Sequence, residues 1–478
     1  MTRPLRPHNE ICPSVMKLQI REHHQDWKLK RGSILALKRM TTEKSWTKAK
    51  PSAGCDRSTM LPRLPFFLLV SLPSLLVGSS TTNSTKTHPP PRPPPPSPLG
   101  DPSWALGLRL YQALRSDPNA VNTVFSPLLV ASSLGALAEG SSGKTASQVQ
   151  DLLKPTSSSS KAGAQVGDLL SAALKSVAEA NGTSFHLHAA SAVFAKQAPA
   201  VSKEFAKKSQ TRFGLRHQAL GKGDSKADLK QLRDWAKAGL SGLEAAPLGD
   251  EIKAKAGALI LANALRFKGL WEREFSEESA DRRTFLGKKY TRVVMLHRAG
   301  LFRYHEDVEN MVQVLEAPLW AGGASLVLLL PFHVEDLSRL EKLLTLERLS
   351  KWLEGAGVSS VAVSVPRANV TSALSLQKQL SALGLSDAWD QKAADFSGVS
   401  DKGGGKLHLG GVLHWASLEL AAQAGKGDAD LEEEHVQDAK LFYGDHPFVF
   451  FVRDDATGAL LLMGALDHAE GEALHDEL

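Results

Sequence analysis

The chain has 478 residues, 42% of them apolar, which is more than one small domain needs and enough for a sizeable core. Its net charge of +6 does not mark a nucleic-acid binder, because residues 1–59 hold 13 Lys+Arg against 5 Asp+Glu, a surplus of +8 that leaves −2 for the rest. Both cysteines, Cys12 and Cys55, precede Met60, so everything after Met60 lacks an intrachain disulfide, a cysteine metal site and a thiol nucleophile.

Residues 1–59 read as an upstream extension with no fold of its own. Met60-Leu-Pro-Arg63 is followed by the apolar run Leu64–Val77 and then the small residues Gly78 to Ser80. A short basic start, an apolar run of about fourteen and a small-residue end make a secretory signal peptide over 60–80, too short and proline-interrupted for a comfortable membrane span. Met60 is then the working start; a cytosolic or type II membrane form is the alternative. Residues 81–100 contain PPPRPPPPSP, a polyproline II linker.

The folded body is expected over 101–467, with a tail over 468–478. It opens on Asp101-Pro102, an N-cap followed by proline at the first helical position, and Trp104, Leu108 and Tyr111 recur behind it at helical spacing. A second helix starts the same way at Ser126-Pro127 and runs through small residues to Gly140, which suits burial beneath a sheet. Ser141-Ser-Gly143-Lys144-Thr145 imitates the end of a phosphate-binding loop, but Ala138 stands where that loop needs glycine and no strand precedes it, so a helix-to-helix turn is the reading. Asn83, Asn181 and Asn369 each begin an Asn-X-Ser/Thr triplet and are candidate glycan sites in a secreted chain.

Ser325–Pro331 is a continuous apolar run, as in a strand covered on both faces, whereas Val361, Val363 and Val365 alternate with Ser360, Ala362 and Ser364, as in a strand with one open face. Val412–Leu420 and Leu441–Val452 read as two further strands joined by a polar, exposed loop of about twenty residues, a length that is usually functional or disordered. Within it Asp428, Asp430 and Glu432 imitate a calcium loop, but Glu433 occupies the glycine position and Ala439 the closing glutamate. The chain carries no G-x-S-x-G, H-E-x-x-H or dinucleotide fingerprint, so no catalytic residue, metal or cofactor is expected.

Four stretches carry a family resemblance: Asn122-x-x-Phe125-Ser126-Pro127; Asn263-x-x-x-Phe267-Lys268-Gly269-x-Trp271-x-x-x-Phe275; the Val361–Pro366 strand with Leu380-x-x-Leu383-Gly384-Leu385 behind it; and Asp445-His446-Pro447-Phe448 leading into Phe450–Asp454. In this order and spacing they resemble the serpin family over roughly residues 104–466. The resemblance implies a mixed α/β fold, the serpin fold, with three β-sheets, eight or nine helices and an exposed reactive loop. Within the family the chain looks most like the collagen-binding chaperone branch of the endoplasmic reticulum. The last four residues, His475, Asp476, Glu477 and Leu478, form a retrieval signal, which together with a signal peptide addresses the chain to that compartment's lumen. The divergent loop and the proline-rich start leave a paralogue with altered preference open.

The branch resemblance implies a procollagen triple helix and a retrieval receptor as partners, a monomeric chain with no membrane insertion after processing, and no nucleic-acid ligand. By position between the motifs it carries collagen contacts over to Arg283, Leu286, Ser364, Leu441, Tyr443 and Asp445, with His297 and His446 as the histidines nearest the site and candidates for release at lower pH. Leu441, Tyr443 and Asp445, at i, i+2 and i+4, are expected on one face of a single strand, with Arg283 and Ser364 on neighbouring strands as donors to collagen carbonyls. The family's protease inhibitors insert the loop into the central sheet. Here the inserting segment begins at the hinge Gly427, and Asp428, Asp430, Glu432 and Glu434 would turn to one side together, burying carboxylates at several kcal/mol each. A non-inhibitory chaperone is therefore expected; a non-inhibitory serpin for another secretory ligand and, less favoured, a serine protease inhibitor are the alternatives.

Overall fold

A computed structural model describes residues 95–474, apart from 118–119, 156–161, 198–200, 249–253, 335–336, 402–406 and 427–433. The upstream extension, the signal peptide, most of the linker, Asn83, the loop residues Gly427, Asp428, Asp430 and Glu432 and the retrieval tail His475–Leu478 lie outside the described residues.

The expected caps form. The Asp101 carboxylate accepts the backbone N–H of Ser103 at 2.8 Å and opens helix Pro102–Arg115, which buries Trp104, Leu108 and Tyr111. Ser126 Oγ accepts the N–H of Leu129 and opens helix Pro127–Glu139, whose Ser133 donates to Asn263 Oδ1 at 2.7 Å, so this helix lies against a sheet as its small residues predict. Helix Gly143–Leu153 follows after residues 140–142, so the connection is helix to helix as expected, with Gly143, Lys144 and Thr145 already in the second helix's first turn.

The strands in chain order are β1 (Thr123–Phe125), β2 (Phe185–Lys196), β3 (Leu215–Leu220), β4 (Ala258–Gly269) and β5 (Ser276–Leu286). There follow β6 (Tyr290–Asp307), β7 (Val312–Pro318), β8 (Ala324–Pro331), β9 (Gly357–Pro366) and β10 (Ala368–Ser375). The last are β11 (His408–Leu420), β12 (Lys440–Tyr443), β13 (Phe448–Asp454), β14 (Leu460–Leu466) and β15 (Glu472–Ala473). One sheet runs β10-β11-β4-β2-β3, with β11 and β4 paired in parallel from His408 opposite Ala258 to Glu419 opposite Lys268. The other runs β1-β14-β13-β8-β7-β6-β9-β12, with β5 and β15 joined to β6 as branches. The 18-residue β6 thus pairs with β5, β7, β9 and β15 along its length. With nine α-helices among the described residues, this is the expected mixed α/β fold of several sheets.

Several details differ from the sequence reading. Leu441–Val452 is not one strand: Asp445 N–H donates back to the Tyr443 carbonyl at 3.0 Å, a turn about Gly444 that separates β12 from β13. Pro447, without an N–H, cannot continue the ladder. Burial along β9 does not alternate over Val361–Pro366: Ala362 and Ser364 are as buried as the valines. The packed chain is also wider than 101–467: Pro98 is buried, Ser97 Oγ lies 2.9 Å from Ser350 Oγ, Ala469 is fully buried and β15 pairs with β6. No described helix is long and apolar enough to cross a membrane.

Candidate functional site

Five short segments meet at one end of β9 and bring all eight expected residues into one patch. In the register of the larger sheet His297 on β6 stands opposite Ser364 on β9, and Tyr443 on β12 is paired with the same Ser364. Leu441 is paired with Ala362 one row below. Partners in a ladder share a face, so Leu441, Tyr443, Ser364 and His297 stand on one side of the sheet while Phe442 is fully buried on the other. From β5, Arg283 reaches the same side, and the Leu286 N–H donates to the Asp445 carbonyl at 2.7 Å, tying the end of β5 to the turn after β12.

Within the patch a chain of polar contacts runs through a residue that sequence reasoning missed. Arg283 Nε and Nη2 lie 3.1 and 3.0 Å from Asp281 Oδ2, His297 Nε2 lies 3.0 Å from Asp281 Oδ1, and His297 Nδ1 lies 2.8 Å from Ser364 Oγ. A carboxylate only accepts, so with a neutral ring Nε2 carries the proton and Nδ1 accepts from the Ser364 hydroxyl. Asp281 therefore fixes the tautomer of His297 and the aim of Arg283 together. Its spacing, two residues before Arg283 on one strand, is the signal that could have found it, since i and i+2 share a face. Arg282, the intervening residue, points to Glu472 instead and is two-thirds exposed.

Two expectations for the patch are corrected. Ser364 is fully buried with its hydroxyl spent on His297, so it positions the imidazole and is not aimed at an external carbonyl. Asp445, beyond the turn at Gly444, does not follow from strand alternation; its carboxylate sits at the rim, 14% exposed, with Oδ1 2.8 Å from His446 Nδ1. His446 Nε2 is 2.8 Å from the Pro331 carbonyl. Both ring nitrogens of His446 thus face groups that have no proton to give, and only a doubly protonated ring donates to both.

The reactive loop is held at both described ends. The Trp271 N–H donates to Gln423 O and its indole to Ala421 O, the Phe275 N–H donates to Ala422 O and the Gly425 N–H to Trp271 O, so the backbone of the first loop residues is pinned while the side chains of Gln423 and Lys426 stay exposed. At the far end Glu434 Oε2 is 2.7 Å from Arg298 Nη2 and Oε1 is 3.4 Å from Arg273 Nε. Burial draws the Arg298 guanidinium below its ordinary pKa against the pull of Glu434, and the guanidinium stacks 4.7 Å from the Phe302 ring. Gly300 leaves the room for this pair, because a Cβ there would stand 2.5 Å from Glu434 Oε2.

Asn369 is exposed on β10, and Asn181 is exposed but holds both backbone groups of Leu187 through its side chain, at 2.8 and 2.9 Å. Among the described residues no cluster of three or more His, Cys, Asp or Glu could hold a metal ion.

Comparison with known proteins agrees with this architecture. The family described as "Serpin (serine protease inhibitor)" matches residues 103–468. Serpin H1 of Mus musculus is 34% identical over 383 residues, covering 80% of this chain and 90% of its own, and Serpin H1 of Gallus gallus is 34% identical with 93% of its own length covered. Leukocyte elastase inhibitor A of Mus musculus is 28% identical over 387 residues, 77% of this chain and 98% of its own. Among solved structures, uncleaved ovalbumin superposes with a TM-score of 0.68 at 22% identity, over 78% of this chain and all of that one. The fold, the motifs and the extent of these matches establish that the chain belongs to the serpin family.

Proposed function

We propose that the chain is a non-inhibitory serpin of the endoplasmic reticulum lumen that binds procollagen triple helices and releases them as the pH falls, the retrieval signal His475–Leu478 returning it through a receptor. The observation that carries this reading is the rim carboxylate of Asp445 beside the half-buried side chains of Leu441 and Tyr443. A triple helix presents proline rings and projecting Arg side chains, its glycines hidden at the axis. An apolar platform with one carboxylate complements that surface, and the carboxylate takes a guanidinium by charge-assisted hydrogen bonds. The 34% identity to Serpin H1 supports the same branch of the family.

Release follows from competition for Asp445. A second proton on His446 lets the ring donate to Asp445 and Pro331 together and sets a cation beside the carboxylate. The same carboxylate then attracts an incoming guanidinium less, so affinity falls with falling pH. Absence of inhibition is supported by the loop: drawing it into the central sheet would pull Glu434 from the largely buried Arg298.

The test is retention of the processed chain on a collagen column at neutral pH, with elution on acidification. Passage through the column at neutral pH would sink the proposal. Elution at the same pH from parent, His297→Asn and His446→Asn proteins would remove these two histidines from the release step.

A further inference from the structure

On the side of the larger sheet that carries Leu441 and Tyr443, the register continues past the eight site residues. Ala299 stands opposite Ala362, Leu301 opposite Ser360, and Arg303 opposite Val358. Two large aliphatic side chains on adjacent strands of this side face solvent, Leu301 at 39% and Val358 at 72% exposure. Single exposed aliphatics need no explanation, but these two are diagonal neighbours on the side of the sheet that carries Leu441 and Tyr443.

Between the two ends the side chains are small: Ala299 is exposed, Ser360 half-buried and Ala362 buried. Arg303 does not charge the far end, because its guanidinium turns to Glu316 at 2.9 Å and to the carbonyls of Leu353 and Ala356 at 2.9 and 3.1 Å. At the near end Arg283 and Asp281 neutralise one another. The result is a shallow trough in which the charges named here are paired. From Val358 to the row where Tyr443 pairs with Ser364 it is six residues of β9, about 20 Å at about 3.3 Å per residue.

We propose that this trough is a second contact for the same triple helix, taking an uncharged, proline-rich stretch of the rod two triplets away from the arginine that meets Asp445. The inference rests on the collagen reading above. A polyproline II chain rises about 3.1 Å per residue, so about 20 Å spans six residues, or two Gly-X-Y triplets. The pairing of those charges fits a stretch without charged side chains, and the shallow floor fits a rod that offers no protruding side chain to fill a pocket. The site would then read a longer sequence than one arginine: an Arg at Asp445 and, on one side only, two triplets free of charge.

The experiment titrates the full processed chain with a triple-helical peptide that holds one Gly-X-Arg triplet in Gly-Pro-Pro flanks. Leu301→Glu with Val358→Glu places two carboxylates in the trough; both positions are exposed, and Val358→Ser serves as a milder variant. The double variant is expected to bind at least tenfold more weakly, and to recover when Lys is placed two triplets to one side of the arginine but not to the other. Binding unchanged in the glutamate variant, while Asp445→Asn loses affinity, would overturn the trough and leave the collagen reading standing. Failure of the parent chain to bind the peptide would overturn both.

Discussion

Asp281 and Asp445 are carboxylates of one patch with opposite duties. Asp281 is turned inward, holding Arg283 and His297 in place, whereas Asp445 sits at the rim with His446 as its internal partner. Replacing Asp281 by Asn keeps an acceptor for the His297 ring but removes the charge that fixes Arg283. Collagen affinity should fall several-fold, and Asp281→Asn with Arg283→Ala should cost less than the two separate losses combined, since both act through one guanidinium. Additive losses in a titration of the four proteins would contradict the link. A third residue sets a pH limit on the fold itself. His414 is fully buried, its Nε2 accepts the Ser126 N–H at 2.9 Å, and burial pushes its pKa down to about 3. The unfolded chain binds this proton near pH 6.5 and the folded chain only near 3, so stability present above 6.5 is lost as pH falls between those values, by about 1.4 kcal/mol per unit. His414→Gln should flatten that slope in denaturant titrations at pH 7 and 5; an unchanged slope would contradict it. Arg283, Leu286 and His297 were legible from their distance to family motifs, but Asp281 was not, because a carboxylate two residues from an arginine looks like any solvated strand. Nor was the burial of Ser364 legible, since alternation along β9 cannot reveal the His297 ring that its hydroxyl meets from β6.

At the scale of elements, β12 places a core residue and the proposed collagen contacts within four residues. Phe442 is fully buried while Leu441 and Tyr443, its neighbours, are half-buried on the opposite side. Phe442→Ala should therefore cost about 3–5 kcal/mol of stability. Leu441→Asp should leave the melting temperature within a few degrees and weaken collagen binding. Equal destabilisation by the two would contradict the assignment of faces. The reactive loop is the second element at issue. Glu434→Ala removes the carboxylate that balances Arg298, and because both side chains keep some exposure the cost should be about 1–3 kcal/mol, read by chemical denaturation. No change would show that the far end of the loop is not held there. The existence of this loop was plain from its polarity between two apolar runs. Its anchoring was not, because the partners Trp271, Arg273 and Arg298 lie more than a hundred residues away in the chain. The break between β12 and β13 was half legible: Pro447 forbids a continuous ladder, but the turn at Gly444 leaves no mark in an apolar run.

Across the whole molecule, three of the four motif stretches pair segments far apart in the chain. Phe125 pairs with Met463, Asn263 with His414, and Ser364 with His297, so each fixes a junction between distant segments. The several partners of β6 were beyond the sequence, since alternation along a strand does not name the strands beside it. The compartment is a prediction at this scale as well. Deletion of His475–Leu478 should send the chain into the medium, and retention in the lumen after that deletion would contradict the retrieval signal. The account as a whole turns on whether Asp445 recognises an arginine projecting from a triple helix. Its most direct test is a calorimetric titration of the parent and Asp445→Asn proteins with two triple-helical peptides that differ only by Arg or Gln at the central triplet. The predicted result is a loss of tenfold or more, at least about 1.4 kcal/mol, for either change alone, and little further loss when both are made. Asp445→Asn binding the arginine peptide as tightly as the parent does would contradict it.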